Sequence, residues 1–253
     1  MPLHFLLPAT TDAPTPGTTH AQAGDTVVLS GGEAHHAVAV RRVRVGEEVT
    51  VGDGRGTWLT GECEQVSPRE VVVRIASRAD IPALAPRIVL AQALAKGDRD
   101  ELAVQAATEL GVDEIVPWQA ARSVSRWDAA KAEKGRSRWS SIVREAAKQA
   151  HRAWIPDVST LATTAALAAR AAASRVVVLE PAATVRLTDL DLSAADPRDV
   201  LLVVGPEGGI APDELALLEA AGATLVRMGD TVLRTSTAGP AALAVVSAAL
   251  GRW

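Results

Sequence analysis

Hydrophobic and polar positions are arranged in two different patterns in the two parts of this 253-residue chain. Before residue 80, short apolar runs alternate with polar residues and are separated by glycine-rich turns, a pattern typical of the strands of a small β-barrel. One short helix, Ala34–Arg42, is predicted between these strands, and a proline-containing linker, Asp80–Pro86, follows them. The predicted strands are Thr26–Leu29, Glu48–Val51, Thr57–Cys63 and Val71–Ile75.

After the linker, apolar runs of strand length alternate with longer amphipathic or alanine-rich stretches, which predicts β/α units and a mostly parallel sheet. The predicted strands are Arg87–Leu94, Glu114–Trp118, Val176–Glu180, Val200–Val204 and Thr224–Met228. The predicted helices are Asp98–Leu110 (closed by Gly111), Ala129–Ala150, Leu161–Ala173, Pro212–Ala221 and Ser236–Leu250. We therefore expect a small β domain over residues 1–80 and an α/β domain over residues 81–253.

Two of these strands run directly into loops of Gly, Pro, Thr and Ser, reading VLLVVGPEGGI (Val200–Ile210) and TLVRMGDTVLRTSTAGPAAL (Thr224–Leu243). Loops at the carboxyl ends of parallel strands converge on one edge of the sheet and can form one small-molecule pocket. The glycine spacing is that of neither a dinucleotide site nor a P-loop, and no Lys follows it. A carboxylate at Glu207 disfavours a bare phosphate and suits a ligand with positive charge or with hydroxyl and amine donors. An ordinary turn into a helix starting at Pro212 is the alternative interpretation.

The same loops carry a family resemblance. GPEGGIAPDE (Gly205–Glu214) and MGDTVLRTSTA (Met228–Ala238) resemble the two hallmark motifs of the bacterial 16S ribosomal RNA uracil-N3 methyltransferases of the SPOUT superfamily. Further blocks similar to that family, in the family's order, are His35–Gly56, Lys96–Pro117 and Arg138–Val158. Two positions depart from it, since Ser236 stands where the family often has Glu and Thr231 replaces a frequent Arg.

This resemblance implies a fold, a cofactor and a reaction. The fold is a trefoil-knotted parallel sheet with helices, preceded by a PUA-like RNA-binding β-barrel, and the protein forms a homodimer. The reaction transfers a methyl group from S-adenosyl-L-methionine (SAM) to N3 of a uridine in the 16S ribosomal RNA of the small subunit. Loops after Leu179, Val204 and Met228 would bind SAM, mostly through backbone groups. The implied cofactor-binding residues are Leu179, Glu180, Gly205, Pro206, Glu207, Gly208, Gly209, Met228, Gly229, Val232, Leu233, Thr235, Ser236, Thr237 and Ala238.

Two side chains in these loops are candidate catalytic residues. Uridine N3 must lose its proton before it attacks, and the charge then spreads onto O2 and O4, where a cation stabilises it. Arg234 is the candidate cation, or a ligand of the target phosphate; a structural ion pair with Glu207 is the alternative. Glu207 is the candidate base or the partner of the cofactor's amine. Neither loop contains a His, so the sequence does not assign the general base.

Charge is unevenly distributed along the chain. The formal net charge is −4, but residues 117–156 hold 9 Lys and Arg against 3 acids. Localised basic patches set where an RNA backbone can lie, although a solvated helix face gives the same pattern. Four tryptophans in or beside this segment, at 118, 127, 139 and 154, could stack on bases, but core packing is the more frequent role. The candidate RNA-binding residues are Arg41, Arg42, Arg44, Lys96, Arg99, Arg122 and Arg126.

Several classes of protein are disfavoured. A single cysteine, Cys63, excludes an intrachain disulfide framework, and the chain has neither a long uncharged apolar stretch nor a basic leader, which predicts a soluble cytoplasmic protein. We expect no metal, because the His35–His36 pair lacks further ligands nearby. Two alternatives to the implied function stay open: a SPOUT methyltransferase acting on another RNA or on a ribose, and a non-catalytic RNA-binding assembly factor. A nucleotide-dependent transferase is disfavoured by the missing phosphate-loop Lys.

Overall fold

The computed structural model describes residues 2–7, 20–193 and 196–253. The chain divides into two compact units. The first contains Met1–Ala83 together with Ala147–Ile155, and the second contains Leu84–Ala146 together with Pro156–Trp253. The segment Ala147–Ile155, which lies far beyond the predicted boundary at residue 80, therefore packs within the first unit.

The first unit is built on one five-stranded sheet with the order β1-β3-β4-β5-β2. Strands β1 and β3 are parallel, and the other neighbours are antiparallel. The alternating apolar positions of these strands face a single core, which is why their exposed and buried residues alternate. The strands are β1 (Leu3–Leu6), β2 (Thr26–Ser30), β3 (Glu48–Gly52), β4 (Thr57–Ser67) and β5 (Glu70–Asp80).

The four predicted strands of this unit are confirmed, but their lengths differ. β4 and β5 pair along their whole length, from Thr57 opposite Asp80 to Ser67 opposite Glu70, so polar residues continue the ladder beyond the apolar runs. Asp80 is therefore the end of β5 and not the start of the linker, which corrects the prediction. β1 was not predicted. The short helix exists as α1 (Gly31–His35) followed by a π-helical turn (His36–Val40), and thus begins three residues earlier than expected.

Residues Ala147–Ile155 pack on the glycine-rich segment 52–56 inside the first unit. Gly56 N–H donates to Ala153 O (3.0 Å), and Ile155 N–H donates to Gly54 O (3.0 Å). Both glycines have positive φ, +71° at Gly54 and +103° at Gly56, and a Cβ on either would collide with its neighbours. Glycine is therefore required at these two positions both for the turn and because another segment of the chain packs closely against them.

The second unit has a six-stranded sheet with the order β11-β9-β10-β6-β7-β8, in which every neighbouring pair is parallel. The central strands are buried along their length, as parallel strands covered on both faces must be. The strands are β6 (Ile88–Ala93), β7 (Glu114–Trp118), β8 (Asp157–Val158), β9 (Ser174–Leu179), β10 (Asp199–Val204) and β11 (Thr224–Val226). The predicted parallel α/β sheet is confirmed, and the trefoil knot stays a prediction.

In the described part of the chain, five helices accompany this sheet, as predicted. Helix α4 and strand β11 are shorter than expected. α4 begins at Thr164 because the Thr163 hydroxyl accepts a hydrogen bond from Ala166 N (3.2 Å), and a 3₁₀ turn, Arg170–Ala172, follows it. β11 ends at Val226, so Met228 belongs to the following loop. The helices are α2 (Arg99–Glu109), α3 (Ala129–Gln149), α4 (Thr164–Ala169), α5 (Pro212–Ala220) and α6 (Thr235–Ala249).

Three glycines account for details of these helices, one of which, the end of α2 at Gly111, was predicted. Gly111 follows α2 with φ +97°, the left-handed conformation expected just after a helix. Gly135, in the middle of α3, makes room for the Trp127 ring, which packs directly against its Cα. Gly239 lets α6 approach the sheet, since a Cβ there would lie 3.1 Å from Leu90 Cδ1 of β6. Helix α6 contains Pro240 near its start.

The four tryptophans in or beside the basic segment all make contacts within the protein, and two of them are buried. Trp118 and Trp139 are buried at 0% and 1% exposure, so neither offers a face to a base. Trp127 meets Trp139 edge to face, with 5.4 Å between ring centroids. Trp154 donates its Nε1–H to Ile81 O (2.8 Å) within the first unit. The core-packing interpretation is therefore confirmed for Trp118 and Trp139.

Candidate active site

A cavity of about 400 Å³ lies in the second unit at the carboxyl ends of β9, β10 and β11. Three loops form it, one after each strand, which is the arrangement expected of ligand sites in parallel sheets. The loop after β9 runs beside the end of β11, because Arg227 N–H donates to Val185 O (2.9 Å). The lining residues are Arg99, Leu179, Glu180, Pro181, Val204, Gly205, Pro206, Glu207, Gly209, Ile210, Val226, Met228, Gly229, Thr231, Val232, Leu233, Arg234, Thr235 and Ala238.

Most of the predicted cofactor residues line this cavity, together with both candidate catalytic residues. Three lie outside its described lining. Gly208 instead faces Arg122, whose Cβ would lie 3.4 Å from a Cβ on Gly208. Ser236 and Thr237 sit in the first turn of α6. Thr231, the second position that departs from the family pattern, is in the lining.

The loop 205–210, here called the glycine loop, is held by its own turn. Gly209 has φ +72° and donates its N–H to Pro206 O (2.9 Å), which closes a tight turn. A Cβ on Gly205 would lie 2.6 Å from Ile210 Cγ1, so Gly205 must lack a side chain for the loop to fold back on itself. Pro212 then starts α5 at the first helical position. The glycines therefore allow this loop to form both the wall of the cavity and the turn from strand to helix.

A buried hydrogen-bond chain joins the glycine loop to the start of α6. Gln92 is fully buried and donates its Nε2–H to the Thr235 hydroxyl (2.9 Å), which in turn donates to Gly205 O (2.9 Å). Thr235 was predicted, but Gln92 was missed. A polar residue at the carboxyl end of an otherwise apolar strand was the available signal. These linked hydrogen bonds fix the distance between two of the three loops.

Glu207 is paired with Arg99. Its Oε1 accepts hydrogen bonds from Arg99 Nη1 (2.9 Å) and from the backbone N–H of Lys96 (3.1 Å). Burial alone would raise the pKa of the Glu207 carboxyl, but the backbone hydrogen bonds and the Arg99 guanidinium outweigh it, so the pKa lies below its ordinary value. The carboxylate is therefore ionised near neutral pH and is a weak proton acceptor.

Arg234 lies at the rim of the cavity at the N-cap of α6. Its backbone carbonyl accepts the N–H groups of Thr237 (2.8 Å) and Ala238 (2.9 Å), which holds the residue in place. Its side chain is exposed and forms no ion pair within the described part of the chain. The structural alternative, an ion pair with Glu207, is not seen among the described residues, where that carboxylate is paired with Arg99 instead.

The candidate RNA-binding residues have different surroundings. In the first unit, Arg41, Arg42 and Arg44 are exposed, and Arg42 has the left-handed φ of +57°. In the second unit, Arg99 binds Glu207, whereas Arg122 Nη1 donates to Gly208 O (3.2 Å). The remaining two are Lys96, which is exposed, and Arg126, whose Nη2 donates to Ala121 O (2.9 Å).

The described residues show neither a metal cluster nor a membrane-spanning helix. Residues 2–7, 20–193 and 196–253 contain no group of three or more His, Cys, Asp or Glu side chains placed to hold a metal ion. Within the described ranges, no helix combines the length and the apolar character needed to cross a bilayer.

Comparison with known proteins now identifies the family. Residues 83–247 match the model of an RNA methyltransferase domain, and residues 29–76 match that of an RNA methyltransferase PUA domain. The chain is 46% identical over 235 residues to the ribosomal RNA small subunit methyltransferase E of Mycobacterium bovis, covering 91% of this chain and 89% of that protein. The corresponding Bacillus subtilis protein is 31% identical over 229 residues, covering 88% and 90%.

Solved structures agree with this assignment. A methyltransferase from Legionella pneumophila in complex with the cofactor SAM matches with a TM-score of 0.84 and 31% identity over 98% of each chain. The ribosomal RNA small subunit methyltransferase E of Neisseria gonorrhoeae, bound to S-adenosyl methionine, matches with a TM-score of 0.81 and 27% identity over 99% of this chain and 98% of that chain. The resemblance read from the two loop motifs is confirmed, and the chain belongs to the RNA methyltransferase family, with a PUA domain in its N-terminal part.

Proposed function

We propose that this protein transfers a methyl group from SAM to N3 of a uridine in the 16S ribosomal RNA of the small subunit, and that it acts in the cytoplasm as a homodimer. The observation that carries the proposal is the cavity formed by three loops, two of which contain the motifs that define the resemblance. Relatives that share most of their length with this chain are named as small-subunit ribosomal RNA methyltransferases, and one of that name has been solved with S-adenosyl methionine.

The lining of the cavity fits SAM. Its volume of about 400 Å³ is within the range of sites for small molecules and cofactors. Gly229 contributes backbone without a side chain, and a Cβ there would enter open space, so this part of the wall presents peptide groups to a ligand. Carboxylates at Glu180 and Glu207 suit hydroxyl and ammonium groups. When bound, SAM supplies an electrophilic methyl group on a sulfonium.

The residues of the chain would act on the acceptor. Uridine N3 must be deprotonated, and the negative charge then spreads onto O2 and O4. Arg234, held at the rim by its backbone and free of ion pairs among the described residues, is the group we assign to stabilise that charge. Glu207 has a lowered pKa and an Arg99 partner, so we assign it to holding the site together and not to removing the proton.

The RNA would be held outside the cavity. Because N3 lies on the Watson–Crick edge, the target uridine must be unpaired when it is methylated. We assign the exposed arginines 41, 42 and 44 of the PUA domain to binding backbone phosphates, which fix orientation without reading sequence. In the second unit, Lys96, Arg122 and Arg126 are exposed as well, and the two arginines also donate to backbone carbonyls of the protein.

The departure at Ser236 gives little support to a non-catalytic assembly factor, because Ser236 lies outside the described lining of the cavity. Two measurements test the proposal. Calorimetry of the purified protein with SAM should show binding, whereas absence of heat and of a thermal shift would leave only an RNA-binding scaffold. The 16S ribosomal RNA of a deletion strain, analysed by mass spectrometry, should lack one N3-methyluridine. The wild-type gene should restore it. A modification found in another RNA instead would establish the other methyltransferase alternative.

A further inference from the structure

Arg122 was predicted to bind RNA, but its guanidinium is directed to the glycine loop. Its Nη1 donates to Gly208 O (3.2 Å) and approaches Ile210 O (3.5 Å). Arg122 Cβ also lies close to Gly208, at 3.4 Å from the position that a Cβ of that glycine would take. Arg122 therefore supports two carbonyl groups of the loop that forms one wall of the cavity.

The backbone next to Arg122 is fixed by Glu214, the last residue of the first loop motif. Glu214 Oε1 accepts the N–H of Ala121 (2.9 Å) and the hydroxyl of Thr164 (2.6 Å). Its Oε2 accepts the N–H of Ala211 (3.2 Å), the residue that follows the glycine loop. The Glu214 carboxylate thus bonds to the backbone of both Ala121, next to Arg122, and Ala211, next to the glycine loop.

Further contacts order the segment that carries Arg122. Trp118, which is fully buried, donates its Nε1–H to the Thr164 hydroxyl (3.3 Å). Arg126 Nη2 returns to Ala121 O (2.9 Å), so residues 121–126 form a closed turn. Arg122 consequently projects from an ordered segment, and its side chain has a defined direction.

We propose that Arg122 is a positioning residue that pre-orders the glycine loop for SAM, with Glu214 holding the backbone from which Arg122 reaches. This inference rests on the proposed function of the cavity. A loop with glycine at 205, 208 and 209 has many accessible backbone conformations, and ordering it on binding reduces affinity. Hydrogen bonds from a charged donor to two of its carbonyls order the loop before SAM arrives. The role predicted from sequence is a phosphate contact, which does not depend on these hydrogen bonds to the loop.

Arg122→Ala separates the two roles. We expect the Kd for SAM to rise by about tenfold, the effect of losing a charge-assisted hydrogen bond at a partly exposed site. The salt dependence of RNA binding should stay the same, because a phosphate contact contributes about 0.9 to its slope and this arginine makes none. Arg122→Lys keeps the charge but loses the guanidinium geometry, so it should restore little of the SAM affinity. Lys131→Ala, which removes a charge from the exposed start of α3, is the matched control.

Glu214→Gln tests the second part of the proposal. It should weaken SAM binding in the same direction as Arg122→Ala, and the two effects together should be less than additive because both residues support one loop. A second readout does not depend on SAM: amide hydrogen exchange of residues 205–210 in the SAM-free protein should be faster in both variants and unchanged in Lys131→Ala.

Three results would overturn the inference. One is an Arg122→Ala protein with unchanged SAM affinity and a reduced salt slope for RNA. Another is full recovery of SAM affinity in Arg122→Lys, which would mean that charge alone matters. The third is unchanged amide exchange in the glycine loop. If instead the wild-type protein fails to bind SAM, the proposed function has failed, and the exchange experiment still decides whether Arg122 orders the loop.

Discussion

The Nη1 atom of Arg99 lies 2.9 Å from Oε1 of Glu207, across a separation of 108 positions in the chain. This contact joins the start of α2 to the glycine loop and leaves Arg234 without that carboxylate as a partner. The two candidate catalytic residues are therefore in different electrostatic states. Glu207 is an ionised and paired carboxylate, and Arg234 is an exposed cation at the rim of the cavity.

Glu207→Gln should lower the methylation rate by less than about tenfold. An ion pair that solvent can reach contributes little to the stability of the loop, and the amide oxygen can still accept a hydrogen bond from Lys96 N–H. The pH dependence of the rate should be the same as in the wild-type protein. The measurement is the pH–rate profile under saturating SAM. A loss of a thousandfold or more, or the disappearance of an acidic limb of the profile, would identify Glu207 as the base.

Arg234→Ala should reduce the methylation rate by about a hundredfold or more, the usual effect of removing a group that stabilises developing charge. The Kd for SAM should change by no more than about threefold, because the role is assigned to the transition state. Rates and calorimetry are measured on the same preparation. Arg227→Ala is the control, since Arg227 lies nearby in the chain and pairs with Asp230 at 2.8 Å. Equal losses of rate and SAM affinity would contradict the assignment.

The sequence predicted well which loops form the cavity and predicted the contacts within it poorly, for physical reasons. The loops after β10 and β11 could be predicted because apolar runs and glycine clusters are local signals, whereas the part of the loop after β9 in the site was implied only by the family resemblance. The hydrogen bonds that link Gln92, Thr235 and Gly205 could not be predicted. Gln92 and Thr235 are 143 positions apart and Thr235 and Gly205 are 30 apart, and no local pattern encodes which polar side chains meet.

Side-chain contacts could not be predicted for the same reason. Arg99 and Arg122 are among the candidate RNA-binding residues, and the structure shows that each donates to the glycine loop. A positive charge near a loop motif fits either a phosphate or a carbonyl acceptor, and only the fold decides between them. Strand β1 was missed because its pairing partner, β3, lies more than 40 residues away.

Gly205→Ala should raise the Kd for SAM by about tenfold or more. Its Cβ would lie 2.6 Å from Ile210 Cγ1, and relieving that overlap must move the glycine loop. Gly208→Ala is a control in the same loop, since its Cβ would meet Arg122 Cβ at an ordinary 3.4 Å and Gly208 has no positive φ. Calorimetry with SAM compares the two. Equal affinities for the two variants would show that the loop adapts and that Gly205 does not shape the cavity.

Arg41→Glu combined with Arg42→Glu should weaken RNA binding and lower the salt slope by about 2, because two phosphate contacts are removed. Both side chains are exposed, so the fold of the first unit should survive the change. Binding is measured at several salt concentrations with a fragment of 16S ribosomal RNA. Arg69→Glu, which changes an exposed arginine in the turn between β4 and β5, is the control. An unaltered slope would place the RNA-binding surface elsewhere.

The buried His4 should make stability depend on pH. Burial, followed by the charges of His151 and Lys148, lowers the pKa of its imidazole from 6.5 to about 4. Between these values the unfolded chain binds more protons than the folded protein, so the free energy of unfolding falls as the pH falls through this range. From pH 7 to pH 5 this single group accounts for a loss of about 2 kcal/mol.

His4→Gln removes this dependence but also removes the stacking of His4 on Trp58, at 4.2 Å between ring centroids, so the variant should be less stable at pH 7. Its free energy of unfolding should nevertheless fall less steeply between pH 7 and pH 5 than that of the wild-type protein. Urea unfolding at both pH values gives the two slopes, and His35→Gln, at an exposed position of α1, serves as the control. If His4→Gln kept the wild-type difference between the two pH values, the imidazole would have to be charged, or solvated, in the folded protein.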